Sequence, residues 1–596
     1  MRIYTLMGLA FVLCIFQSFA YTTHIDALAV VSGTGEGVAT PVYLNVTPGT
    51  GALSLHSGNS TVGSSTVQSM KYAIAYAASY LGLNRSAYNY NFTIVVNNSN
   101  ISGPSAGLPF TLLAIAALEH RQLPSGIAAT GTISPNGTVG EIGGVYDKAR
   151  AASKDGSRLF LVPYAYNDSF EDAQYYMAQQ AYGITVVEVA NAVQAIPYVF
   201  GNKTPEPLSY NISANYNASM LNSTSAICPG CAANDSGFVP LVNDTFGVFS
   251  ATTASINGTL FGGAKQQLYN QLSQYREIAA KGYLYSASNL AFLDYPEAFM
   301  LAHYNDSSVA SAKPVINSIY NYCDSLNPPQ LTYSNYEYVT SGEARYAWAM
   351  TALSQADEIL NASQSSDDVF AALITASRAY AWCSAVAQLY NISAAIGGSP
   401  AAESPQLESV AASQISAARG RYGNQLYVNE SEYSYGAGQY AAALYSLAYA
   451  RTFYNTSTES ISNASSAYGL MKSAVNSANG AWPREFGLQA YFYLGEAGIS
   501  SNSSIAAADI SAAKSTAQLS LALDSVNSEI KDSLLPLNST IQSGGSEQLY
   551  QLQSEVNTLY AVVIVLAMLV AIILAVLLVH MVGGHKQARQ QGRRAR

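Results

Sequence analysis

The sequence predicts an α/β (α+β) domain over residues 21–201 and a mainly α-helical bundle or solenoid over residues 246–538, with an export signal before them and one transmembrane helix after. Three observations predict this. Strand-like and helix-like periodicities alternate as far as Gly201. Beyond Thr245 the apolar residues recur at helical spacing, and a chain of 596 residues is too long for one hydrophobic core. An apolar fraction of 49% supports packed cores, while only 11% of residues are charged, so solubility rests on uncharged polar groups. The net charge of -10, with its one basic cluster in the C-terminal tail, argues against a nucleic-acid partner because no basic stripe exists to neutralise phosphates.

Residues 1–20 read as a secretory signal peptide: Arg2, then the apolar run Leu6 to Phe16, then Ser18 and Ala20 before the cleavage point. Ala27 to Val31 and Val42 to Val46 read as strands around the turn G-T-G-E-G, and Ala52 to Leu55 continues the extended pattern. Ser64 to Leu83 switches to helical spacing through Met70, Ala73, Ile74, Ala77 and Leu81. Tyr90 to Val96 is a strand leading to the turn G-P-S-A-G, where the apolar helix Leu108 to Glu119 begins. Strands at Ile127 to Ile133 and Val139 to Ile142 precede a helix at Val145 to Ser153. A strand at Leu159 to Pro163, a helix at Phe170 to Tyr182, a strand at Ile184 to Val189 and a short helix near Ala190 to Phe200 complete the domain.

Residues 202–245 are rich in Asn, Ser and Pro and read as a linker. Helices follow on the face Leu268, Leu272, Tyr275 and Ile278, then at Glu343 to Leu360, Asp368 to Tyr390, Gln406 to Ala418, Ala437 to Tyr454, Pro483 to Ala497 and Ile505 to Leu535. Their tyrosines, with Met300, Trp348 and Trp382, read as packing residues before any cofactor site. Residues 539–558 form a polar hinge, and residues 559–582, from Leu559 to Val582, are long and apolar enough to cross a bilayer. Lys586, Arg589, Arg593, Arg594 and Arg596 in the tail 583–596 keep that end cytoplasmic, so the body faces the cell exterior as a single-pass membrane protein. The sequons at Asn45, Asn91, Asn136, Asn211, Asn361 and Asn455 agree with export. Cys228 and Cys231 form C-P-G-C, which suits a local disulfide in an exported linker better than a metal site; Cys323 with Cys383 is a second candidate bridge.

Serine needs a base to become a nucleophile, and near G-P-S-A-G histidine is scarce: His24, His56 and His120 are candidates only by default. Lys148 heads an apolar helix among Ile142, Val145, Ala149 and Ala152, where burial favours the neutral amine that can accept the Ser105 proton. Backbone N–H groups in the turn from Gly103 to Gly107, with Ala106 beside the serine, suit a developing oxyanion.

In order along the chain, V-T-P-G-T-G-A-L-S-L, G-P-S-A-G, T-G-T-I followed by N-G-T-V, I-G-G-V-Y-D-K-A-R-A-A and L-F-L-V-P resemble the blocks of the Lon protease proteolytic domain, a Ser-Lys peptidase family. The resemblance covers about Thr23 to Phe200. It implies Ser105 as nucleophile, Lys148 as general base, Thr130 as a hydroxyl that orients the lysine, no cofactor, polypeptide substrates and a homo-hexameric ring. Ser102 and Thr132 stand where many members of that family carry acids, and no G-x-x-x-x-G-K-[ST] motif accompanies the domain. The reading that follows is an ATP-independent serine endopeptidase acting on extracytoplasmic or membrane-adjacent polypeptides. A cell-surface binding or structural protein with an inactive domain of this type, and a protease that processes itself, are the alternatives.

Overall fold

A computed structural model describes residues 21–537 apart from 32–33, 97–99, 166–168, 211–220, 225–234, 424, 459–463, 478 and 501. The signal at 1–20, the C-P-G-C pair Cys228 and Cys231, the hinge, the span 559–582 and the tail lie outside the described residues.

The chain begins with a long hairpin, β1 (Tyr21–Val31) and β2 (Glu36–Pro48), paired antiparallel so that Ile25 faces Val42 and Ala27 faces Thr40. Then come β3 (Leu53–His56), β4 (Thr61–Val62), α1 (Ser64–Tyr80), β5 (Tyr88–Ile94), β6 (Asn100–Ile101) and α2 (Gly107–Leu118). Period-two burial of Tyr90, Phe92 and Ile94 on β5 turns one face to the core. The next elements are β7 (Ile127–Ala129), β8 (Thr132–Ile133), β9 (Val139–Gly140), α3 (Val145–Lys154), β10 (Leu159–Pro163), α4 (Ser169–Tyr182), β11 (Thr185–Val189) and α5 (Ala192–Val199).

Seven strands form one mixed sheet in the order β11-β10-β7-β1-β2-β5-β3, with β7 parallel to both β1 and β10. All twelve residues of α2 are buried, Phe110 and Leu113 against one apolar cluster and Leu108 and Leu112 against another. The predicted strand Ile127 to Ile133 is two pieces, because Gly131 at φ 149° breaks it; a Cβ there would lie 2.5 Å from Val139 Cγ1.

The helical region contains α6 (Val239–Ser255), α7 (Gly258–Ala280), α8 (Leu284–Ala302), α9 (Val309–Asp324), α10 (Tyr336–Ala362), α11 (Ser366–Ile396), β12 (Ala401–Glu403), α12 (Pro405–Tyr422), α13 (Leu426–Gly436), α14 (Tyr440–Thr458), α15 (Ala464–Ser477), α16 (Ala481–Ile499), α17 (Ser503–Asp532) and β13 (Leu534–Pro536). Helix starts within the predicted linker, at Val239 with Pro240 in its first turn, where proline's missing N–H costs nothing. Nor does the described part of that linker hang free. Gln179 of α4 accepts from the Leu208 N–H (2.8 Å) and donates to its carbonyl (2.9 Å).

Helices α8 and α9 escape a reading of periodicity because Pro296 and Pro314 lie inside them. The predicted helix at Ile505 to Leu535 ends at Asp532, since residues 534–536 pair instead with β12. Among the described residues one helix, α11, is long and apolar enough to cross a membrane, and most of its apolar stretch is buried within the bundle. Cys323 on α9 and Cys383 on α11 are disulfide-bonded. Tyrosines serve largely as packing: Tyr275, Tyr283 and Tyr445 are fully buried.

No boundary in the core separates the two regions. One apolar cluster runs from Leu28, Val145 and Phe160 of the sheet domain to Phe261, Tyr275 and Phe370 of the helices. The helical region is therefore docked on the sheet domain, through α3 and through α4, whose Tyr176 packs on Phe261 of α7.

Candidate active site

Ser105 occupies the turn that enters α2. Gly103 takes φ 121°, a conformation glycine adopts without strain. Its N–H donates to Ser65 Oγ (3.2 Å) and its carbonyl accepts from Thr66 Oγ1 (3.0 Å); the Pro104 carbonyl accepts from Ser69 Oγ (3.2 Å). All three hydroxyls come from the first turns of α1, so that helix holds the turn from one side. From the other, the Ser105 carbonyl accepts from the Gly131 N–H (2.8 Å) and the Thr130 hydroxyl (3.2 Å).

This last bond puts Thr130, 1% exposed, on the serine's own backbone, whereas the family resemblance implied a role on the lysine. The Gly103 N–H is occupied, leaving its part in the site conformational. Among the described residues the N–H groups of Ser105 and Ala106 have no acceptor and remain available to an oxyanion.

Lys148 lies on α3 and is only 3% exposed. Helix α3 sits so close on the hairpin that a Cβ on Gly37 would meet the Asp147 carbonyl oxygen at 1.9 Å and the Lys148 backbone nitrogen at 3.2 Å. Gly144, at φ 70°, brings the chain into the helix, and a Cβ there would meet Val30 Cγ2 at 2.4 Å. Val30 also walls a cavity of about 730 Å³ that opens at Ser105 and is lined by Leu28, Val38, Ile94, Ile101 and Phe110. The serine turn and the start of the lysine helix thus border the same end of the β1–β2 hairpin. Burial pushes the Lys148 ammonium down to about 8, opposed by the negative charge of Asp367.

Sequence reasoning missed Asp367. With glycine as its N-cap, α3 has no side chain of its own to accept its first N–H groups. Asp367, from the first turn of α11, accepts from the N–H of Val145 (2.7 Å) and Tyr146 (3.2 Å). In return Asp147 of α3 accepts from the Ser366 N–H (2.7 Å) and hydroxyl (2.7 Å) at the start of α11. Two helix N-termini, each the positive end of its dipole, therefore face one another with two carboxylates between them. The bonds to α3 hold Asp367 as an anion, yet burial dominates and lifts its carboxyl to about 6. Asp147 is raised too, by burial, against the bonds from Ser366 and the charge of Arg150.

Tyr146 extends the contact, its hydroxyl donating to the Tyr304 carbonyl (3.2 Å) and its ring meeting Phe370 edge-on at 5.0 Å. The only signal of this clasp in the sequence is the pair of glycines before Val145, which leaves α3 uncapped. The histidines stand elsewhere: His24 stacks on Tyr43, His120 meets the edge of Tyr21, and His56 pairs with Thr93 at the end of β3. Among the described residues no group of three or more His, Cys, Asp or Glu side chains is placed to hold a metal.

Residues 24–196 match the family model of the Lon protease (S16) C-terminal proteolytic domain. Lon protease 2 of Bacillus subtilis is 30% identical over 115 residues, 19% of this chain and 20% of that protein. Lon protease 2 of Herpetosiphon aurantiacus is 33% identical over 119 residues, 20% of this chain and 14% of that protein. The archaeal Lon protease of Methanothermobacter thermautotrophicus is 27% identical over 144 residues, 24% of this chain and 22% of that protein. The chain thus spans between 14% and 22% of the length of these curated relatives. The match covers the sheet domain, which is similar to the Lon-type proteolytic domain, and the helices from Val239 onward stand outside it.

Proposed function

We propose that the chain is a Ser-Lys endopeptidase that cleaves polypeptides outside the cytoplasm, next to the membrane that anchors it, without ATP. The observation that carries the reading is Lys148: a lysine 3% exposed, with its ammonium weakened to about 8, within a Lon-type domain. At pH 7 about a tenth of such lysines are neutral, enough for a general base.

The Lys148 amine takes the proton of the Ser105 hydroxyl as Oγ attacks the scissile carbonyl carbon. The N–H groups of Ser105 and Ala106 bind the oxyanion of the tetrahedral adduct. Collapse breaks the C–N bond, the amine leaves with the proton held by Lys148, and an ester to Ser105 remains. Water, deprotonated by Lys148, attacks that ester and releases the acid product and the serine hydroxyl. The apolar cavity wall at Leu28, Val38, Ile94 and Phe110 suits apolar side chains of an extended substrate.

Location outside the cytoplasm is supported by the signal-like residues 1–20, by the apolar residues 559–582 with basic residues after them, and by the Cys323–Cys383 disulfide, which suits an oxidising compartment. The 596 residues carry no P-loop motif, so the cleavage step is assigned to this chain without nucleotide. The test is cleavage of a quenched fluorescent unfolded polypeptide by the full chain, with and without ATP, beside Ser105→Ala. Equal cleavage in both conditions, lost in the variant, supports the reading. Cleavage that survives in Ser105→Ala, or that requires ATP, contradicts it.

A further inference from the structure

Among the described residues, the one carboxylate that hydrogen-bonds the start of the lysine helix from another region is Asp367, and no step of the proposed chemistry uses it. We propose that Asp367 is a positioning residue for Lys148: through it the helical region fixes the catalytic helix and places a negative charge beside the base. The inference rests on the Ser105–Lys148 assignment above.

The geometry carries it. Both Asp367 oxygens bond the first two N–H groups of α3, at 2.7 and 3.2 Å, where the glycine N-cap offers no acceptor. Asp147 returns the bond to Ser366, so neither helix start can shift without breaking the other's cap. The capping box of Ser365 and Asp368 fixes α11 itself, which holds Asp367 in place. The disulfide from Cys383 to α9 ties the same helix deeper in the bundle.

The titratable groups that act on Asp367 are Asp147 and Lys148 of α3 and Tyr175 of α4; one contact further out, Arg150 and Asp368 act on Asp147, Glu171 and Glu188 act on Tyr175, and the Tyr304 carbonyl holds Tyr146. Lys148 and Arg150 are the cations among them. A negative charge at Asp367 favours the ammonium of Lys148, so it counteracts the burial that makes the amine a base. Asp367, which titrates at about 6, is ionised where Lys148 changes charge at about 8.

The experiment is the pH dependence of kcat/KM on a quenched fluorescent peptide, using the full chain as wild type, Asp367→Asn, Ser366→Ala and Lys148→Ala. Wild type should show activity rising with pH through a limb near 8. Asp367→Asn removes the charge and keeps the size, so its limb should move to lower pH by about half a unit or more. Ser366→Ala removes the hydroxyl's bonds to Asp147 and to the Ser307 carbonyl while the backbone N–H bond to Asp147 stays, and should lower kcat with the limb in place. A purely structural role for Asp367 would lower the rate without moving the limb, and that result overturns the proposal. Should Asp367→Asn not fold, Asp367→Glu keeps the charge and must leave the limb where it is; a shifted limb there also overturns it. A Lys148→Ala chain that cleaves at the wild-type rate sinks the dyad and this proposal together. An unmoved limb in Asp367→Asn beside an inactive Lys148→Ala sinks this proposal alone.

Discussion

The two halves of the candidate site are held by different parts of the chain. The serine turn is fixed from within the sheet domain, by Ser65, Thr66 and Ser69 of α1 and by Thr130 and Gly131 after β7. The lysine helix rests on the hairpin but is capped from outside, by Asp367, and packed by Phe370, both of α11. The difference teaches that the helical region is part of the lysine's environment and not a mere spacer after the sheet domain.

Removing the chemistry itself has the largest expected effect. Ser105→Ala and Lys148→Ala should each lower peptide cleavage by about a thousandfold or more, because members of such a unit fail together. Thermal melts should stay near wild type for Ser105→Ala, since that side chain is only partly buried. A double variant should be no worse than either single one, and multiplied losses would show that the two residues do not act as a pair.

A second way to break the comparison strains the entry to the lysine helix alone. Gly144→Val would demand φ 70° of a branched residue and press on Val30. It should cost about 2–4 kcal/mol in urea unfolding. A smaller and more selective change is Asp147→Ala, which leaves the Ser366 N–H without its acceptor and should cost about 1–3 kcal/mol. Hydrogen exchange should then quicken at the starts of α3 and α11 together while the Gly103 to Gly107 turn keeps its protection. Equal loosening of that turn would erase the distinction between the two halves.

The smallest effect is on stability against pH. Burial raises Asp294 and Asp367 to about 6 and Glu430, 2% exposed, to about 8. Each folded value lies above the unfolded value of about 4, so the native state holds protons that the unfolded chain releases. Their contribution is present below about pH 4 and is lost as pH rises through 6 to 8. Lys148, lowered to about 8, has the opposite sign: stability grows as pH rises from 8 to 10.5. The full chain should therefore melt at a higher temperature at pH 5 than at pH 8, and the reverse order would contradict these burials.

The sheet domain was legible because its signals are local. The alternation through Tyr90, Phe92 and Ile94, the turn G-P-S-A-G and the helix after it, apolar but for Thr111, lie within about thirty residues. The lysine's surroundings were only half legible: its apolar neighbours are sequence neighbours, but Ser366 stands 219 residues from Asp147 and no periodicity links them. Ser102 and Thr132 directed attention to missing acids inside the domain, whereas Asp367, beside Lys148, comes from the helices. Helices α8 and α9 were hidden by Pro296 and Pro314, and the packed part of the linker by its Asn-rich composition.

The central claim is that a buried Lys148 activates Ser105. Its most direct test is the rate at which a fluorophosphonate labels Ser105 in the full chain as pH is varied, read by mass spectrometry. The account predicts labelling that rises through a midpoint near 8 and is lost in Lys148→Ala. Labelling at Ser105 that is independent of pH, or unchanged by Lys148→Ala, would contradict it.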